Sequence, residues 1–375
     1  MDFSYTEEQQ SIIDLASQIL RDGTAQERLR EIEKADGPRF DRQLWSQLGE
    51  AGLLGVAIPE EQGGADLGFL EVAGIIEQVG RTAAPVPVLE TVVQGALPLT
   101  EFGSDAQKET WLPKIASGEA IFTAALTEPE GDPRRPLTRA TPDGDGWKLS
   151  GTKFCVPFAE IADAMLVPAA TGGAGAVGVF LVDPKTAGVS ITPLETTAGQ
   201  PEARVDLEDV RVEAGAVLGD AEKGLPIVDW LVEHTNAALA NLGLGACTEA
   251  LELTKEYAKT RKQFDQPIAM FQAVGHRAAD AYIDLEGVRL TTLQASWRLS
   301  AGLPAAKEVL LAKHWVSEAG NRVVHAATHL HGGVGVDREY PLHRFFLMVR
   351  QLQLTLGAST PSLVALGKLL AEEDD

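Results

Sequence analysis

Arg261 offers forked N–H donors, a geometry that binds two oxygens of a pyrophosphate at once. A lone arginine with a nearby phenylalanine is also an ordinary pairing of surface charge and core packing. Gly332, Gly333 and Gly335 allow φ > 0 turns and close backbone approach to a bound group. His325 and His329 stand four apart, the spacing at which two metal ligands share a helix face. No third ligand follows at a familiar spacing, and His331 abuts the glycine turn, so cofactor contact or packing is expected and a metal is not. Glu233 is a carboxylate on a long helical stretch. It suits proton abstraction if held in a dry cleft, and is otherwise a solvated helix charge. Cys155 and Cys247 show no paired spacing and read as reduced thiols.

The elements that must position these residues fall into three stretches. Residues 1–120 read as helical. Thr6-Glu7-Glu8-Gln9 is a capping box ahead of Ile12, Ile13, Leu15, Ile19 and Leu20. Phe40, Leu44, Trp45 and Leu48 recur at helical spacing up to Gly52, and Phe69 to Val79 is a further apolar-periodic run. Over residues 121–220 short apolar runs, such as Ala164 to Val167 and Ala176 to Val182, alternate with turn residues, the pattern of a compact β domain. Over residues 221–375 helices return. Pro226 fits a first turn, and apolar residues recur from Ile227 to Tyr257. Helix, sheet, helix in that order argues for an α+β chain of three segregated layers. The acidic tail Glu372 to Asp375 is expected to be solvated and frayed.

At 375 residues the chain is long enough for sizeable cores, and its formal charge of −22 argues against nucleic-acid or anionic-membrane binding. Any polyanionic ligand must be met by local cations. With no basic leader and no apolar run of bilayer length, a cytoplasmic location is expected.

Several segments, in joint order and spacing, resemble the acyl-CoA dehydrogenase family across nearly the whole chain. They are Gly52-Leu53-Leu54-Gly55 with Pro59 to Gly64, Thr127-Glu128-Pro129, Leu149 to Lys153, Arg261 to Phe264 with Phe271-Gln272, and His331 to Pro341. The resemblance implies an N-terminal α-helical domain, a middle β-barrel domain and a C-terminal four-helix bundle, with FAD bound where two subunits meet. It implies α,β-dehydrogenation of a CoA thioester: a flavin takes hydride from the β-carbon while a glutamate takes the α-proton. Donors must also polarise the thioester carbonyl. Arg261, Phe264, Gln272, His329, Gly332, Gly333 and Gly335 match positions that, in the family, complete a neighbour's FAD site.

The family's base should follow the glycine turn, where the gapless count gives Leu356; in a second subfamily it stands at the position of Thr235, aligned on Gly245. Neither can take a proton. On the flavin-contacting strand Cys155 stands for a tryptophan and Pro157 for a threonine. Proline has neither a backbone N–H nor a hydroxyl. The expectation is a chain without a catalytic residue of its own that completes a partner's FAD site. That resembles the non-catalytic subunits of actinobacterial heterotetrameric acyl-CoA dehydrogenases, several of which act on sterol side chains. The implied partners are a homologous catalytic subunit in an α2β2 assembly, an acyl-CoA substrate, and electron-transfer flavoprotein as acceptor. Two rivals stay open: an active dehydrogenase using Glu233, about 200° around the helix from Thr235, and an acyl-CoA-binding scaffold with no flavin role.

Overall fold

A computed structural model describes residues 5–173 and 175–373; Asp374 and Asp375 of the acidic tail lie outside them. Thr6 caps α1 (Glu7–Gly23) in the expected box, its side chain accepting from the Gln9 N–H while Gln9 returns a bond to the Thr6 N–H. After α2 (Gln26–Lys34), helix α3 spans Arg42–Glu50, shorter than the apolar spacing from Phe40 suggests. Asp41 takes the N-cap, accepting from the Gln43 and Leu44 N–H groups, and Gly52 turns the chain at φ +74°. Helix α4 (Phe69–Thr82) is followed by a π-helical segment, Leu89–Ala96, then α5 (Leu97–Phe102) and α6 (Asp105–Ala116).

The β strands are β1 (Phe122–Ala124), β2 (Arg139–Asp143), β3 (Gly146–Pro157), β4 (Ala164–Ala170), β5 (Val177–Val182), β6 (Val189–Leu194), β7 (Glu202–Val212) and β8 (Val217–Leu218). They form one sheet in the order β6-β7-β3-β2-β4-β5-β8, with β1 parallel to β4. Gly144, at φ +65°, turns the β2–β3 hairpin. Inward side chains, among them Leu149, Val167, Phe180, Val205 and Val210, meet in a single apolar core. Strand β3 departs from regular pairing with β7 between Lys153 and Val156, and Cys155 lies in that bulge at φ +49°.

Helix α7 (Leu225–Thr260) is 36 residues long. A short hairpin, β9 (Lys262–Gln263) and β10 (Gln266–Pro267), leads to α8 (Gln272–Ser300) and α9 (Ala306–His331). A 3₁₀ turn, Gly332–Val336, then precedes α10 (Leu342–Leu354) and α11 (Ser359–Glu373).

The chain divides into two compact units. One comprises Arg30–Gly68 and Pro85–Thr235 and holds the sheet; the other comprises Met1–Leu29, Phe69–Ala84 and Asn236–Asp375 and is helical. In the helical unit α9 packs on α8, α10 and α11. Small residues let α7 approach its neighbours: a Cβ on Gly245 would fall 2.0 Å from the Glu77 carbonyl of α4, and one on Gly243 would strike Val316 of α9. Asn241 of α7 donates to the Ser296 hydroxyl of α8. No single helix among the described residues is long and apolar enough to cross a membrane.

Candidate functional site

In the helical unit the candidate residues gather around the end of α7, the start of α8 and the end of α9. Arg261 directly follows α7; its N–H donates to the Tyr257 carbonyl (2.8 Å), and its side chain is exposed. Phe264 and Asp265 form the two-residue tip of the β9–β10 hairpin, at φ +52° and +63°. A left-handed conformation is costly for a bulky residue and persists where the surroundings enforce it. Phe264 nonetheless stands 88% exposed, its ring edge-on to Phe271. Gln272 opens α8 and is also exposed.

His329 lies exposed on α9 and, with Ala273, Val274, Arg277 and Leu330, lines a recess of about 420 Å³. Arg277 was not singled out from the sequence. Its signal was the four-residue spacing from Ala273, which puts both on one face of α8. Two of the three glycines have open space around them: a Cβ on Gly332 or Gly333 would meet nothing within 4 Å. Gly335 is different. Its Cβ would lie 2.5 Å from the Thr328 carbonyl, so the turn's packing on α9 requires that glycine whatever it binds.

The histidines separate. His325 is exposed with its ring edge-on to Phe346, His329 faces the recess, and His331 is buried beneath the turn. Among the described residues no three His, Cys, Asp or Glu side chains are grouped to hold a metal.

Leu356 follows α10 at φ +52°, with Gly357 at +101°, and is half-buried. Its backbone conformation, not its side chain, is the unusual feature. Thr235, in the sheet-bearing unit, is 1% exposed. The Gln94 side-chain amide lies 3.5 Å from its hydroxyl, and Gln94 also accepts from the Ala124 N–H. That position is closed into a buried polar network. Glu233, two residues earlier, is half-buried. His234 between them stacks on Trp230 (3.5 Å), and burial pushes its imidazole down to about 4 despite the Nδ1 bond to the Trp230 carbonyl.

On the sheet side, the residues of the flavin-strand motif are consumed internally. Burial raises the Glu128 carboxyl, but Lys153, Thr138 and the Leu137 N–H together hold it below its ordinary range. Lys153 Nζ lies 2.6 Å from Glu128 and 2.7 Å from the Pro168 carbonyl, buried throughout. The Thr127 carbonyl accepts from the Phe154 N–H. Cys155 is exposed, yet burial of its sulfur and the hydrogen-bonded Glu202 push the thiol up to about 11. Burial, reinforced by Glu202, pushes Glu90 of the π-helical segment up to about 7. This strand therefore presents a thiol held by a carboxylate and a proline without a donor. That set does not fit the tryptophan-and-threonine contacts expected of an isoalloxazine strand. The Arg261–Phe264 hairpin, the open glycines and the Arg277–His329 recess, by contrast, suit the diphosphate end of FAD.

A helix–sheet–helix chain with a long first bundle helix, a glycine turn and this recess lined by Arg277 has the build of a flavin-dependent acyl-thioester oxidoreductase. The chain belongs to the acyl-CoA dehydrogenase family, whose cofactor is FAD. The family's N-terminal, middle and C-terminal domain profiles match residues 6–119, 123–210 and 222–363. It is 40% identical to the acyl-CoA dehydrogenase FadE27 of Mycobacterium tuberculosis, over 99% of both chains. The structure resembles a chain of the ChsE4-ChsE5 complex from Mycobacterium tuberculosis with a TM-score of 0.93 and 40% identity over 99% of each chain. It also resembles a chain of a variant of the Tcur3481-Tcur3483 steroid ACAD, with a TM-score of 0.91 and 40% identity over 98% of this chain and 99% of that one.

Proposed function

We propose that this chain is the non-catalytic subunit of a heteromeric FAD-dependent acyl-CoA dehydrogenase acting on a CoA thioester with a sterol-type side chain. The observation that carries this is the contrast between Leu356 and the Arg261–Phe264 hairpin. Leu356, which the gapless count from the glycine turn sets at the family's base position, has a side chain that cannot accept a proton, while a strained hairpin displays an arginine and an aromatic ring to solvent. In the complex FAD supplies the hydride acceptor for the β-carbon. Arg261 and Arg277 would hold its phosphates, Phe264 and Gln272 would flank it, His329 would donate to it, and Gly332 and Gly333 would let it approach the backbone. The partner supplies the α-proton base and the isoalloxazine contacts. Similarity to chains of two named two-component assemblies, one a steroid enzyme, supports both the partner and the substrate class.

The test is co-expression with a homologous subunit that keeps a glutamate at the base position. The expected product is a complex with one FAD per pair of unlike subunits, active on a steroid-type acyl-CoA; this chain alone purifies colourless. Arg261→Ala should strip flavin from the complex. A yellow, active homo-oligomer of this chain would overturn the proposal.

A further inference from the structure

His331 is 3% exposed and is not among the residues that line the recess. Its Nδ1 lies 2.8 Å from the Ala327 carbonyl, which only accepts, so Nδ1 carries the proton and Nε2 of the neutral ring is the acceptor. The Tyr340 hydroxyl, 3.2 Å away, donates to Nε2. Tyr257 stacks on the imidazole with centroids 4.3 Å apart and planes 25° from parallel, and meets the Tyr340 ring edge-on at 6.4 Å.

These three rings join segments far apart in sequence. Tyr257 lies in the last turn of α7, and its carbonyl accepts from Arg261 N–H. His331 is the residue before Gly332, and Tyr340 stands beyond the far end of the turn. The turn also sits directly on the histidine, since a Cβ on Gly335 would lie 3.1 Å from His331 Cβ. An aliphatic side chain could fill this volume. An imidazole with both nitrogens bonded adds direction, because a satisfied buried polar group fixes one arrangement of its neighbours.

We infer that His331 is a positioning residue that locks the Arg261 end of α7 in register with the Gly332–Gly335 turn, so that the two present one surface to the diphosphate end of a flavin dinucleotide. This rests on the shared-site reading above. The titratable groups packed against the ring are the phenols of Tyr257, from α7, and Tyr340, from the loop before α10. Burial, partly offset by the bond to Ala327, holds the imidazole below its ordinary 6.5. Protonation turns Nε2 into a donor, and the bond from Tyr340 must then reorganise.

The experiment measures FAD dissociation from the complex with its catalytic partner between about pH 5 and 8. The wild-type complex, Tyr340→Phe, His331→Phe and Arg261→Ala are compared, each with its melting temperature. Wild-type affinity is expected to be flat above pH 6.5 and to weaken below it. Tyr340→Phe, which removes only a hydroxyl, should weaken FAD binding about fivefold at pH 7.5, the equivalent of one neutral hydrogen bond. His331→Phe keeps a ring in the stack and should weaken binding at least as much while abolishing the acid step. If His331→Phe does not assemble, Tyr340→Phe still decides the question. Should these two variants keep wild-type affinity while Arg261→Ala sheds flavin, the positioning role fails and the shared site stands. Should Arg261→Ala keep its flavin, the shared site fails and the inference with it.

Discussion

The amine of Lys313, fully buried on α9, donates to the carbonyl of Leu352 in the last turn of α10, four residues ahead of Leu356. Last-turn carbonyls lack helical partners, and a lysine satisfying one both caps the helix and favours its dipole. The chain then reverses through Leu356 and Gly357, both at positive φ. Lys313 thus anchors the segment that leads into Leu356.

Burial pushes the Lys313 amine down to about 7, from an ordinary 10.5 in the unfolded chain. Below pH 7 both states are charged and the folded state bears the full burial penalty. Between 7 and 10.5 the unfolded chain binds the extra proton, so stability rises with pH over that window. Denaturation by urea at pH 7 and 9.5 should show the wild type gaining stability relative to Lys313→Met. Parallel behaviour of the two proteins would exclude this linkage.

The Lys153–Glu128 pair lies in the sheet-bearing unit with both side chains essentially inaccessible. Lys153→Met leaves a buried carboxylate with only Thr138 and Leu137 as partners and should cost about 3–5 kcal/mol of stability. Thermal or chemical unfolding measures this directly. Because Glu128 is held below its ordinary 4.5, its contribution is complete above that pH and is lost as the pH falls through the depressed value. A Lys153→Met protein as stable as the wild type would show that the pair is not a structural anchor.

Exposure alone would make Cys155 the reactive thiol of this chain, since Cys247 is buried and pushed up to about 12. The Cys155 pKa of about 11 argues otherwise, because the thiolate is the nucleophile. Its reaction with a disulfide reagent at pH 8 should be about tenfold slower than that of an unperturbed thiol, nucleophilicity partly offsetting the smaller thiolate fraction. Glu202→Gln removes the charge facing the sulfur and should speed the reaction. A rate already typical of free cysteine would contradict the hydrogen-bonded arrangement.

Local signals made much of this molecule legible in its sequence. The Thr6 capping box, the Gly52 stop and the long apolar period of α7 are local signals, and each appears where expected. The family motifs placed Arg261, Phe264 and the glycine turn by their order along the chain. What could not be read depends on tertiary neighbours. The left-handed strain of Phe264 comes from a two-residue hairpin whose sequence, Phe-Asp, lacks the usual glycine. The link from Tyr257 to His331 and Tyr340 spans more than eighty residues and has no periodic signature. Gly335 looked like its two companions, yet only packing against Thr328 distinguishes it. Nothing in the local sequence marks Lys313 as buried, and only its tertiary neighbours separate it from solvent.

Restoring the family's base should not restore an enzyme. Leu356→Glu puts a carboxylate at the expected position, and the left-handed backbone there costs glutamate no less than leucine. A general base contributes about 10²–10⁴-fold only when the group it serves is held within reach. The β3 strand still ends in Pro157, without a donor, and Cys155 still faces Glu202 in place of an aromatic ring. Leu356→Glu expressed alone is therefore expected to purify without flavin and to leave acyl-CoA unoxidised. In complex with the catalytic subunit it should leave turnover per FAD unchanged, because this chain's base position would serve no flavin. The check is bleaching of flavin absorbance on adding acyl-CoA, with and without a partner whose own glutamate is replaced by glutamine. Turnover in the complex with the disabled partner would mean that Leu356 faces a working site, and that the division of labour proposed for the two subunits is wrong.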